Sequence, residues 1–193
     1  MLAAASYCSR LTDLRLLDPL GDRELYFTPD WLRAVVAANA ATLQRITVPC
    51  GARIIGEALE AVASCAELRA FSWDFRGNVD FVAGGFADAT VRGVVERCRK
   101  IASLDAGDFQ FPTTEPIKLT QLRMLARRVE SIAQIARFSS LRSLTLYALG
   151  LPRPAMMSSL CEMLPKLAKL ESFSIVDDTR PEPCTALLLT SLS

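Results

Sequence analysis

The chain has 193 residues, of which 51% are hydrophobic and 22% charged, and its formal net charge is +1. This size and balance fit one globular domain and exclude a disordered chain. The near-neutral net charge does not indicate binding to nucleic acid or to an anionic membrane. No apolar run reaches the roughly 18 to 20 residues of a membrane span.

Histidine is absent, which removes the side chain that titrates near neutral pH and the commonest ligand of transition metals. A Ser-His-Asp or Cys-His arrangement cannot be built without it, and no G-K-[ST] phosphate-binding motif occurs. We therefore predict that the protein is not an enzyme and has neither a cofactor nor a metal site.

Seven segments along the chain place apolar residues at the offsets L-x-x-L-x-L. They begin at Leu11, Leu43, Leu68, Ile101, Leu119, Leu141 and Leu170. Within most of them apolar and polar residues alternate, as in Leu14-Arg15-Leu16, which is the pattern of a half-buried strand.

Between the strands the apolar period becomes helical. The predicted helical stretches are Trp31–Val36 with Asp30 as its cap, Ile54–Val62, Val91–Cys98, Val129–Ala136 and Met156–Leu164 with Met157 on the apolar face. The glycine-rich stretch 75–88 predicts a long loop. The stretch 108–116 contains two prolines and predicts an extended segment that connects two strands without a helix.

A strand, a helix and a parallel strand form a right-handed crossover. Repetition of this unit predicts an α/β fold, a right-handed solenoid of about seven repeats with a parallel sheet on the concave face and helices outside. We expect a single domain over residues 1–193.

Cys8, Cys65 and Cys98 stand three residues before Leu11, Leu68 and Ile101. No C-x-x-C pair occurs, so buried, reduced, structural thiols are predicted. Reduced thiols indicate an intracellular protein, with the cytoplasm as the expected compartment. The alanine-rich residues 1–10 have two interpretations, a mitochondrial presequence or the last turns of a repeat helix.

If the apolar strand residues point to the core, the residues between them point to the concave face. We predict a protein-binding surface there, composed of Asp13, Arg15, Arg45, Thr47, Ser72, Asp74, Ser103, Asp105, Gln121, Arg123, Thr145, Tyr147, Ser172 and Ser174. The alternative is that this row is only solvated and that a partner contacts the helices or one end.

The seven-fold pattern and its cysteines resemble leucine-rich-repeat proteins, especially the cysteine-containing and ribonuclease-inhibitor-like kinds and the repeats of F-box-type receptors. The resemblance implies a non-enzymatic scaffold or adaptor that binds protein partners, not nucleic acid, without spanning a membrane. A second hypothesis is a structural accessory subunit of a large complex, similar to coupling factor B of the ATP synthase, which would place the chain in mitochondria.

Overall fold

The computed structural model describes most of the chain. The described residues are 10–16, 29–49, 60–74, 88–107, 111, 118–148 and 150–177. They divide between two compact units, an N-terminal unit within residues 1–101 and a C-terminal unit within residues 102–193. The expectation of a single domain over residues 1–193 stays a prediction. Several predicted features lie outside the described residues, namely Cys8, the N-terminal helix, the loop at 75–87 and all but Phe111 of the stretch 108–116.

The N-terminal unit contains three strands that pair in parallel in the order of the sequence. Its elements are β1 (Asp13–Arg15), α1 (Pro29–Ala38), β2 (Arg45–Pro49), β3 (Ala70–Asp74) and α2 (Asp88–Arg97). Leu14, Ile46 and Phe71 stand side by side in the register of these strands, and all three are buried.

The C-terminal unit contains four parallel strands, again in the order of the sequence. Its elements are β4 (Ser103–Ala106), β5 (Gln121–Ala126), α3 (Val129–Ile135), β6 (Ser143–Ala148), α4 (Arg153–Met163) with a 3-10 turn at Leu164–Lys166, and β7 (Ser172–Asp177). Leu104, Leu122, Leu144 and Phe173 form one buried row across the four strands. The α/β class with parallel strands is thereby confirmed, and each of the seven predicted strands is present.

The same hydrogen bonds begin each of the five strand pairs within the units. One carbonyl before a strand accepts bonds from two successive N–H groups at the start of the next strand, at 2.8–3.0 Å. The accepting carbonyls belong to Thr12, Gln44, Ala102, Thr120 and Arg142. This contact fixes the register at the first residue, and a slip by one residue would turn the apolar row to the opposite face.

The helices contribute buried apolar stripes of their own. Leu32, Val35 and Val36 of α1 are buried, as are Ile132 and Ile135 of α3. In the C-terminal unit α3 packs against both β5 and α4. Burial of each such side chain contributes about 1.5–3 kcal/mol, so these stripes stabilise the layered arrangement.

Asn39 is a buried polar residue that the apolar pattern does not predict. Its Oδ1 accepts a bond from Leu11 N at 2.9 Å, and its Nδ2 donates to Val35 O at 2.8 Å. Thr42 Oγ1 donates to Leu11 O at 2.9 Å. These bonds satisfy the buried amide and tie the segment that enters β1 to the end of α1.

Two details of the helix predictions are wrong. Asp30 is the second residue of α1 and not its cap; its carboxylate lies 3.7 Å from Arg33 Nη1, one turn further along. Met157 is exposed, whereas Met156 and Leu160 of the same helix are buried. Met156 and Met157 are adjacent, so they project about 100° apart on the helix and cannot both enter the same narrow stripe.

The position of the predicted structural cysteines recurs in both units. Cys65, Cys98, Phe138 and Leu167 are all buried, and the carbonyl of each accepts a bond from the N–H three residues later at 2.9–3.1 Å. Cys98 Sγ also lies 3.5 Å from Val62 O. The buried role predicted for Cys65 and Cys98 is confirmed, and the cysteines serve there as small apolar side chains that close a tight turn.

Burial raises the pKa of the Cys65 thiol to about 11. Burial, followed by the proximity of Cys65, raises the pKa of the Cys98 thiol to about 12. Since the thiolate is the nucleophile, both thiols are unreactive as nucleophiles at neutral pH.

Replacing Cys65 by Ser is expected to lower the free energy of unfolding by about 1–3 kcal/mol, because a hydroxyl then enters an apolar site. Chemical denaturation followed by circular dichroism measures the change. The matched control is Cys161→Ser, at an exposed thiol, which should change stability by less than about 0.5 kcal/mol. Equal effects of the two substitutions would contradict the structural role of Cys65.

Thiol alkylation of the native protein should modify Cys161 much faster than Cys65 or Cys98. The first thiol is exposed, and the other two are buried with raised pKa values. Mass mapping of peptides after timed labelling at neutral pH gives the rate at each site. Labelling of Cys65 as fast as that of Cys161 would show that the turn is open to solvent.

Candidate functional site

The polar residues that alternate along the strands with the buried row form what we call the polar strand face of each unit. In the N-terminal unit it consists of Asp13, Arg15, Arg45, Thr47 and Ser72, which are half-buried or exposed. Successive side chains of a strand point to opposite faces, so this set lies away from Leu14 and Ile46. Asp74 belongs to β3, but its side chain lies outside the described part of the structure.

The polar strand face of the C-terminal unit contains the other predicted residues and one that was missed. Its members are Ser103, Asp105, Gln121, Arg123, Ser143, Thr145, Tyr147, Ser172 and Ser174. Asp105 is the one buried member of this set, and the others are half-buried or exposed. Ser143 was missed although it pairs with Gln121 and Ser172 in the register. Its position two residues after Leu141 matches that of Gln121 after Leu119, so the repeat offset was a sufficient signal.

Two arginines converge on one carboxylate in the N-terminal unit. Arg15 donates from Nε and Nη2 to the two oxygens of Asp13, at 3.2 and 3.0 Å. Arg45, the direct register partner of Asp13 on β2, brings its Nε to 3.4 Å from Asp13 Oδ2. The hydrogen bond and charge of Asp13 raise the pKa of the Arg15 guanidinium above its ordinary value. The cluster carries two positive charges against one negative charge.

Asp105, Arg123 and Tyr147 form a polar chain across three adjacent strands of the C-terminal unit. Asp105 is the direct register partner of Arg123, and Arg123 Nη1 lies 3.3 Å from Asp105 Oδ2. Arg123 Nη2 donates to Tyr147 Oη at 2.6 Å, and the guanidinium carbon lies 5.7 Å from the centre of the Tyr147 ring. Contacts on both sides hold the guanidinium in one orientation.

Comparison with protein-family models, curated proteins and solved structures finds no match. Within the described ranges, no group of three or more His, Cys, Asp or Glu residues is arranged to hold a metal ion. Among the described helices, none has the length and hydropathy to cross a membrane. What the two polar strand faces offer is hydrogen bonding and charge pairing from fixed arginine and tyrosine side chains.

Removal of Arg123 should destabilise the protein, whereas removal of an exposed arginine should not. Arg123→Gln removes the ion pair between Arg123 and the buried Asp105 carboxylate, which should lower the free energy of unfolding by about 1–3 kcal/mol. Arg142→Gln is the control, because Arg142 pairs with Glu171 at 3.0 Å in an exposed position and should cost less than about 0.5 kcal/mol. Urea denaturation compares them, and a neutral effect of Arg123→Gln would show that Asp105 does not depend on this partner.

Proposed function

We propose that the protein is a non-enzymatic scaffold that binds protein partners through its polar strand faces, and that its units are leucine-rich repeats. The observation that carries the proposal is a parallel sheet with one face accessible to solvent. Parallel sheets are nearly always covered by helices on both faces. Here Arg15, Arg45 and Gln121 are exposed on strands whose alternate residues are buried.

The composition of the exposed faces favours a protein partner. Both charge signs, several hydroxyl groups and the half-buried Tyr147 lie on neighbouring strands. Mixed charges with short side chains confer specificity by complementarity, and tyrosine and arginine are the residue types enriched among the energetically dominant positions of interfaces. Stacked repeats use a row of this kind, one or two residues from each strand, to bind extended partner surfaces.

The recurrent geometry supports the repeat interpretation. The paired hydrogen bonds at the strand starts occur in both units. A buried residue three positions ahead of the apolar segment also occurs in both units, before Leu68, Ile101, Leu141 and Leu170. The five described strand pairs therefore fix their register with the same backbone contacts, and four of the described turns close with the same hydrogen bond. A scaffold of this design needs no reactive group, in keeping with the absence of histidine.

Site-specific cross-linking in the native cells tests the proposal and needs no candidate partner. A photoreactive amino acid is placed at Thr47 or Thr145 on the strand faces, and at Ala37 or Ser158 on the exposed sides of α1 and α4. We expect the two strand-face positions to form adducts with a common protein and the two helix positions to form none.

Thermal unfolding of each labelled variant verifies that the substitutions leave the fold intact. Adducts from Ala37 and Ser158 with none from Thr47 and Thr145 would move the binding surface to the helices and contradict the proposed role of the strands.

A further inference from the structure

On the polar strand faces the arginine side chains are more exposed to solvent than the carboxylates with which they pair. The side chains of Arg15 and Arg45 are 61% and 63% exposed, against 27% for Asp13. The side chain of Arg123 is 42% exposed, against 9% for Asp105. A ligand that approaches either face therefore meets guanidinium groups first.

Two of the described ion pairs away from these faces expose the acid more than the base. The acid is 78% exposed in the Arg33–Asp30 pair and 66% exposed in the Arg142–Glu171 pair. In the Lys100–Glu67 pair the acid is 37% exposed, and its pKa is lowered by the hydrogen bond from Lys100. Lys100 is 53% exposed, so the base is the more exposed partner in that pair too, but by less than on the strand faces. Among these pairs the asymmetry between cation and anion is therefore strongest on the strand faces.

The Asp13–Arg15–Arg45 cluster has more donors than its carboxylate can accept. Each guanidinium has five N–H donors, and one carboxylate has about four acceptor positions. Arg15 already occupies both oxygens of Asp13, and Arg45 approaches one of them through Nε. Arg15 and Arg45 therefore have N–H donors that Asp13 does not use, and both side chains are exposed to solvent. Their contacts with Asp13 restrict the orientation of the two guanidinium groups.

We propose that the Asp13–Arg15–Arg45 cluster is a binding site for carboxylates of an acidic protein segment, so that the scaffold selects partners rich in Asp and Glu. The inference rests on the proposed function and specifies the partner chemistry. A guanidinium fork matches a carboxylate in a bidentate arrangement. A protein segment fits better than nucleic acid, because the whole chain carries a net charge of only +1 and nucleic-acid binding depends on many basic contacts.

Fluorescence anisotropy with two labelled peptides tests the site on the full chain. One peptide alternates Glu with Ser, and the other alternates Gln with Ser. The Glu peptide should bind the protein more tightly, and its affinity should fall as salt is added because exposed charges are screened. Replacing both Arg15 and Arg45 by Gln should weaken its binding roughly tenfold, as expected for two exposed charge pairs.

The matched control is Arg33→Gln combined with Arg142→Gln, which removes the same total charge from exposed pairs elsewhere. It should leave binding of the Glu peptide within about twofold of the original value. Equal binding of the two peptides, or equal losses in both double variants, would overturn the acidic-segment site.

The cross-linking experiment separates this inference from the proposed function. If Thr47 forms adducts with a partner but the peptides show no preference for Glu, the acidic selectivity is wrong and the scaffold function stands. If the Glu peptide binds through Arg15 and Arg45 but no strand-face adduct forms in cells, the scaffold function is wrong and the carboxylate site stands.

Discussion

The structure depends on the alignment of apolar side chains across parallel strands. In the C-terminal unit Leu104, Leu122, Leu144 and Phe173 occupy one line of the register and are buried together. Neighbouring strands lie about 4.8 Å apart, so each member of the line covers the next. A single strand with one helix could not bury this surface, and only the stack makes the apolar row favourable. The paired backbone hydrogen bonds at each strand start favour the same register as burial of the apolar row. Backbone and side-chain interactions therefore stabilise the same arrangement.

The same alternation produces the polar strand face. Because Leu14 and Ile46 are buried in the core, Asp13, Arg15 and Arg45 lie on the opposite face of the strands. Aspartate is short and keeps its carboxylate near the backbone, whereas arginine has a long aliphatic stem that carries its charge outward. A cross-strand pair of the two residue types therefore exposes its cation more than its anion. The outward-facing guanidinium groups follow from side-chain length on strands where Arg15 and Arg45 are exposed.

Much of this arrangement was readable from the sequence. The seven L-x-x-L-x-L segments located all seven strands. The residues of the two cross-strand ion pairs also share offsets within these segments. Asp13 and Arg45 each stand two residues after the first apolar residue of their segments, and Asp105 and Arg123 each stand four residues after theirs. Both pairs are direct partners in the register. Comparison of offsets between consecutive segments would have predicted these contacts.

The remaining features depend on geometry that a linear pattern does not contain. Tyr147 stands six residues after Leu141, two positions further along its strand than the partner of Arg123, and meets Arg123 only because both side chains are long. Asn39 is buried near the turn, and its amide is satisfied there because a backbone N–H and a carbonyl lie within its reach. Met157 was assigned to the buried side because it is as apolar as its neighbour Met156, and the sequence does not show which of the two faces the core. Asp30 was assigned as the cap because aspartate is common both at the cap and in the first turn of a helix.

Near-neutral net charge does not conflict with charge-based recognition. The energy of a bound carboxylate depends on the nearest groups, since at 0.1 M salt the field of an exposed charge decays over about 10 Å. Asp13 restrains two guanidinium groups and cancels only one of their charges, so these three residues keep one net positive charge in a chain whose net charge is only +1. Restraint also reduces the side-chain entropy that a ligand would otherwise have to remove on binding. A covered carboxylate thus favours recognition of another carboxylate, because it orients the arginines without occupying all of their donors.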